Sequence, residues 1–138
     1  MRAVDTGVLV AAASSWHEAH EAARREVTAG PRVAAHTMVE TYSVLTRLPG
    51  VHRVPRDLAA EFIERAIREE PLTLDGAEWR RLVTRRLPAL GIAGGAVYDA
   101  LIAETVRLAG GTLVTLDRRA LTTYERIGCA AELLSAGG

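Results

Sequence analysis

The stretch Val97–Arg119, VYDALIAETVRLAGGTLVTLDRR, decides the fold. Asp99 stands ahead of an apolar-rich run, Ala100–Ala109, that reads as a helix. Gly110-Gly111 stop that run, as glycines do past a helix end. Thr112–Leu116 is β-branched and apolar and reads as a short strand ended by Asp117. About ten helical residues travel roughly 15 Å at about 1.5 Å each. About five strand residues return roughly 16 Å at about 3.3 Å each. The two legs nearly cancel, so Asp117 is expected at the end of the unit where Asp99 began. Asp is also a common N-cap and a common residue just after a strand. The pair alone therefore fits plain scaffolding, and a site requires further acids at the same edge.

The rest of the chain repeats this alternation. Ala3–Val4, with Arg2, reads as a first buried strand ending at Asp5, followed by a helix over Gly7–Ala13. His17–Thr28 is a second helix with a polar face, and Gly30-Pro31 a turn. Arg32–Ala35 is a second strand, His36-Thr37 a cap, and Met38–Leu48 a helix ended by Pro49-Gly50. Pro55 suits the first turn of a helix over Arg56–Glu69. Pro71–Leu74 is a third strand, and Asp75 caps a helix over Gly76–Leu87 with Trp79, Leu82 and Val83 expected inward. After a loop at Pro88–Gly95 and the opening stretch come a helix over Arg119–Ile127 and a strand near Ala131–Leu134. No two strands are close enough for a hairpin. The expected fold is α/β, a three-layer α/β/α sandwich around a central parallel sheet of four to five short strands. At 138 residues it is one domain, 1–138.

Composition narrows the function. No run of about 18 apolar residues is present, so no membrane span is expected. Asp5 interrupts the first apolar run, which makes a poor signal peptide. The single Cys129 cannot form an internal disulfide and is expected as a small core residue, fitting a cytoplasmic location. Formal charge is zero, so no global basic field advertises nucleic acid. All seventeen basic residues are Arg.

In an open parallel sheet, sites form at the carboxyl ends of the strands. Asp5 ends the first strand there, Asp99 starts a helix on that edge and Asp117 ends the fourth strand. Glu40 follows the second strand by about a turn, within reach of the same edge. Carboxylates within a few ångströms raise one another's pKa, at about 1.4 kcal/mol per unit. A cation resolves that conflict, and all-oxygen ligation with retained waters suits Mg²⁺ or Mn²⁺. Such an ion can generate hydroxide and stabilise a pentacovalent phosphate, which points to phosphodiester hydrolysis with one or two metals.

The residues D-T-G at 5–7, E-T-Y-S-V-L-T-R-L at 40–48, Y-D-A-L-I-A at 98–103 and L-V-T-L-D-R-R at 113–119, in this order and spacing, resemble a PIN domain. Within that superfamily the chain is most similar to VapC-type toxin ribonucleases. The resemblance spans essentially the whole chain. It implies a Mg²⁺-dependent endoribonuclease, silenced by a cognate VapB-type antitoxin and usually a homodimer. The family's catalytic and metal-binding acids fall on Asp5, Glu40, Asp99 and Asp117. Asp5 and Asp99 match the direct metal ligands, and Asp117 matches a more variable position. Thr6 and Thr115 match small polar neighbours that support the acids. On this basis Asp5 and Asp99 anchor the metal, Glu40 and Asp117 orient its water, and cleavage leaves a 5′-phosphate and a 3′-hydroxyl. The antitoxin groove is expected near 38–48 and 56–69.

Other features are weighed against plainer roles. Arg pairs at 24–25, 80–81, 85–86 and 118–119 read mostly as solvated helix faces. Arg118 and Arg119 are singled out for RNA phosphates because they follow Asp117 and guanidinium matches phosphate bidentately. His17 and His20 in W-H-E-A-H are one residue short of a zinc motif. Tyr98 beside Asp99 suits a base stack, though burial is the simpler expectation. D-T-G also opens aspartic protease sites, but those need a β-rich fold. Phosphoacceptor domains and aspartyl-nucleophile phosphatases rely on a lysine, and none is present. The remaining rival is a catalytically silent PIN-like module that binds RNA or a protein.

Overall fold

A computed structural model describes residues 1–136, so positions 137–138 of the expected domain lie outside the described residues. β1 (Arg2–Val4), β2 (Thr112–Thr115) and β3 (Ala130–Leu133) form a parallel sheet in the order β1-β2-β3. Val4 pairs with Val114 and Thr115 with Leu133. Beyond β1, single parallel bridges Ala3–Arg32 and Ala34–Leu72 continue the sheet. The expected four to five strands are therefore three regular strands and two bridge segments. Pro31 and Pro71 open the two segments without an amide to donate, and a helix starts at Ala35, so neither builds a ladder.

Successive residues of β1 and β2 point to opposite faces, and this makes three layers. Ala3 and Leu113 join a core with Leu82, Ile102, Val106 and Tyr124 on one face. Val4 and Val114 join Val8, Leu9 and Val33 on the other. Cys129 is buried in the first core, as expected, and burial pushes its thiol up to about 11.

The helices are α1 (Thr6–Ala13), α2 (His20–Thr28), α3 (Ala35–Thr46), α4 (Arg56–Ala66), α5 (Gly76–Arg81), α6 (Leu87–Ala89), α7 (Ala96–Leu108) and α8 (Arg118–Ile127). α2 starts at His20 rather than His17, because the His17 ring accepts the Ala19 amide and holds a turn. His20 contacts the Ala11 carbonyl through Nδ1, so both imidazoles serve the backbone. α3 begins three residues before Met38, taking His36 and Thr37 out of the expected cap and into the helix. Pro55 occupies the N-cap position of α4 without a capping bond, and Asp75 caps α5 in a reciprocal capping box with Glu78. A π-helical turn, Leu82–Arg86, joins α5 to α6.

That turn corrects the expected inward face of the segment. A π-helical step aligns residues five apart, so Leu82 and Leu87 enter the core together. Trp79 and Val83 flank this stripe and are 43% and 53% exposed. On the buried side of α7, Glu104 forms an ion pair with Arg86 Nε at 2.8 Å and accepts from Arg107 Nε at 2.7 Å. Among the described residues no helix is long and apolar enough to cross a membrane.

Candidate functional site

Four short-range causes bring the acids together. Asp5 follows β1 and caps α1, its Oδ1 accepting the Val8 amide at 3.2 Å. Asp117 follows β2 and caps α8, its Oδ1 accepting the Arg119 amide at 2.8 Å. Asp99 lies in the first turn of α7, which opens at Ala96, ahead of the expected start at Ala100. Glu40 projects from the second turn of α3. Asp5, Glu40, Asp99 and Asp117 line one cavity of about 120 Å³, with Thr6, Thr115 and Tyr124. The outward helix and returning strand thus do deliver Asp117 to the edge where Asp99 starts.

Neighbouring groups hold Asp5, Glu40 and Asp117. The Thr6 hydroxyl donates to Glu40 Oε1, and His36 Nε2 lies 3.5 Å from Glu40 Oε2. The Thr115 hydroxyl oxygen accepts the Asp117 amide at 3.0 Å. The buried Tyr124 hydroxyl donates to Asp5 Oδ2 at 2.8 Å. Burial pushes the Asp5 carboxyl up, opposed by the Thr115 and Tyr124 hydroxyls and the Val8 amide. Burial, and then the fields of Asp5, Glu40 and Asp117, push Asp99 up to about 6, with His36 opposing. The acids feel one another, as a shared edge requires.

Among the described residues no three acidic, histidine or cysteine side chains are arranged to grip one ion by themselves. The donor set nevertheless fits Mg²⁺ or Mn²⁺. It is all oxygen, and the cavity has room for an ion that keeps several waters, as Mg²⁺ does. Burial and then the neighbouring acids lift Asp99, and a divalent cation held there would offset both.

Two flanking features complete the edge. Arg118 and Arg119 are exposed and line an open depression of about 790 Å³ beside Asp117, Gly7 and His17. Tyr98 is 56% exposed rather than buried. Its ring stacks on His36, with centroids 5.6 Å apart and planes 11° from parallel.

Tyr124 and His36 were not legible as site residues. The i,i+4 spacing of His36 and Glu40 is a helix signal, available once α3 is extended to Ala35. Nothing local marks Tyr124, which meets a residue 119 positions away. Its hydroxyl is expected to contribute to stability through that bond. Tyr124→Phe keeps the ring and leaves Asp5 Oδ2 without its donor. The expected loss is about 1–3 kcal/mol in urea unfolding at pH 8. An unchanged midpoint would remove this hydroxyl from the support of Asp5.

A family model described as PIN domain matches residues 2–126. The chain is 44% identical over 135 residues to Ribonuclease VapC40 of Mycobacterium tuberculosis, from both strain CDC 1551 / Oshkosh and strain ATCC 25618 / H37Rv. That match covers 98% of this chain and 100% of the relative. It is also 42% identical over 132 residues to Ribonuclease VapC27 of Mycobacterium tuberculosis strain ATCC 25618 / H37Rv, covering 91% of each chain. No solved structure matches the chain.

Proposed function

This chain belongs to the PIN domain family, and on that premise we propose that it is a metal-dependent endoribonuclease toxin neutralised by a cognate VapB-type antitoxin. The observation that carries the proposal is the cavity lined by Asp5, Glu40, Asp99 and Asp117. Its extensive similarity to two proteins named ribonucleases supports the same reading. Asp5 and Asp99 hold Mg²⁺ or Mn²⁺, and Glu40 and Asp117 orient water. When bound, the ion supplies Lewis-acid polarisation and lowers the pKa of water.

The chain's own groups do the rest. Tyr124 and the Val8 amide fix both Asp5 oxygens, so its carboxylate is oriented before substrate arrives. Thr6 does the same for one Glu40 oxygen. Arg118 and Arg119 receive backbone phosphates in the depression beside Asp117. The free face of Tyr98 accepts an unpaired base, since single-stranded RNA is read by stacking. Attack in line with the leaving 3′-oxygen yields a 5′-phosphate and a 3′-hydroxyl.

An apolar groove of about 410 Å³, lined by Val27 of α2 and Leu58, Phe62 and Ala66 of α4, suits an amphipathic antitoxin segment. The segment 56–69 of the expected pair is kept, and α2 is proposed as the second wall in place of 38–48. The chain acts in the cytoplasm as a homodimer.

Antitoxin-free protein should cut end-labelled RNA with Mg²⁺ or Mn²⁺ and stop on addition of chelator. Mapping the 5′ ends should find monophosphates. Retention of RNA without cleavage under either metal would favour the silent binding module.

A further inference from the structure

One charged surface is not absorbed by the acid site. Arg80, Arg81, Thr84, Arg85 and Arg86 line an open groove of about 790 Å³ along α5 and the π-helical turn. Arg86 is paired with the buried Glu104. Among the described residues, Arg80, Arg81 and Arg85 have no carboxylate partner within ion-pair distance. Glu78, the acid nearest in sequence, is engaged in the capping box with Asp75. Arg80, Arg81 and Arg85 gather along this one groove without a counter-charge paired to them. In a chain of zero formal charge this is a local excess of cation.

The groove is remote from the carboxylates. Arg86 donates to the carbonyl of Ile127, the last residue of α8, while Asp117 caps the first turn of that helix. Ten helical residues separate the two ends by roughly 15 Å. The carboxylates themselves repel a phosphate backbone, and Arg118 and Arg119 are the cations already placed beside them, so further cationic surface elsewhere strengthens the attraction for a polyanion. Three unpaired guanidiniums supply it, and the fork of each matches phosphate oxygens. Trp79, 43% exposed and next to Arg80 in sequence, stands outside the groove lining and offers an aromatic surface of the kind on which unpaired bases stack.

We propose that Arg80, Arg81 and Arg85, with Trp79, form a second RNA-binding surface that holds the single-stranded backbone away from the acid cavity. The polyanion is taken as RNA on the strength of the proposed ribonuclease activity. A stacked strand rises about 3.4 Å per nucleotide, so roughly five nucleotides span the distance. Long RNA therefore engages both places, and very short RNA only one.

The test is fluorescence anisotropy of labelled oligouridine, 24 and 4 nucleotides long, in chelator, across a salt series. The proteins compared are the wild type, a variant carrying Arg80→Ala, Arg81→Ala and Arg85→Ala, and a variant with Lys at the same three positions. The Ala variant should bind the 24-mer at least tenfold more weakly at low salt. Its slope of log affinity against log salt should fall by about two units, at about 0.7 per lost phosphate contact. The wild type should lose most of its advantage over the Ala variant on the 4-mer. The Lys variant should recover most of the slope, which a folding defect would not permit. A wild-type slope in the Ala variant overturns the proposal, as does tighter binding of polyglutamate than of the 24-mer. Cleavage plays no part in this readout, so failure of the nuclease proposal appears separately in its own metal-dependent assay.

Discussion

Asp5→Asn and Asp99→Asn should each abolish RNA cleavage, by about a thousandfold or more, while the metal-free fold survives. The size follows from losing charge stabilisation worth several kcal/mol at about 1.4 kcal/mol per tenfold. What sets these variants apart from ordinary damage is the accompanying sign in stability. Asp99 is pushed up to about 6 by burial and by Asp5, Glu40 and Asp117. A carboxyl raised in the folded state favours its neutral form. The stability this gives is complete below the unfolded pKa near 4, and is lost as pH rises through about 6. Above that window the metal-free wild type bears an ionised Asp99 among like charges, and Asn does not. Asp99→Asn should therefore be more stable than the wild type at pH 8 and indistinguishable from it near pH 3.5. Because Asp99 is only half-buried and solvent screens it, the gain is about 1 kcal/mol rather than the full shift. Thermal unfolding at the two pH values checks it. A variant that is inactive and destabilised at pH 8 would mean that Asp99 supports the fold rather than a charged site.

Glu104→Ala should be the most destabilising single substitution, at about 3–5 kcal/mol in denaturant unfolding. Glu104 is 2% exposed, forms an ion pair with Arg86 and accepts from Arg107, and the two arginines come from different parts of the chain. Arg86 also donates to the Ile127 carbonyl, so the network ties the π-helical turn to α7 and to the end of α8. Truncating the acid leaves two guanidiniums facing each other across a partly buried gap. Replacing Arg86 and Glu104 together, by Met and Leu, should cost much less than Glu104→Ala, because apolar packing replaces a charge pair whose desolvation is expensive. Equal losses in the single and double variants would show that packing, not charge pairing, dominates there.

These two predictions separate what sequence revealed from what it concealed. The Val97–Arg119 unit was legible because glycines, a β-branched run and helix periodicity agree, and the travel of helix and strand fixes where their ends meet. Asp5, Glu40, Asp99 and Asp117 followed from that arithmetic plus the rule of strand ends, with the four quoted motifs in support. Glu104 carried no such mark. In sequence it reads as one polar residue on an apolar helix, and only tertiary packing reveals two arginines converging on it. Tyr124 is similar, since its hydroxyl finds Asp5 across the core.

Local rules also failed where a neighbour competed. His36-Thr37 resembled a cap, yet α3 starts at Ala35 directly after the Ala34 bridge, and His36 becomes a helical partner of Glu40. Trp79 and Val83 obeyed ordinary helical spacing, but the π-helical turn gave the inward face to Leu82 and Leu87. Tyr98 was expected in the core and instead stacks on His36 at the surface. The segments at Arg32–Ala35 and Pro71–Leu74 had strand composition, but a proline at or just before the start of each and, for the first, the start of α3 at Ala35 left them single bridges.

The central claim is that separated acids share one divalent cation. Calorimetric titration of Mn²⁺ into metal-free protein tests it without RNA. The wild type should bind, with an upward shift in melting temperature, and Asp5→Asn and Asp99→Asn should lose both responses. Undiminished binding in both variants, or none in the wild type, would contradict it.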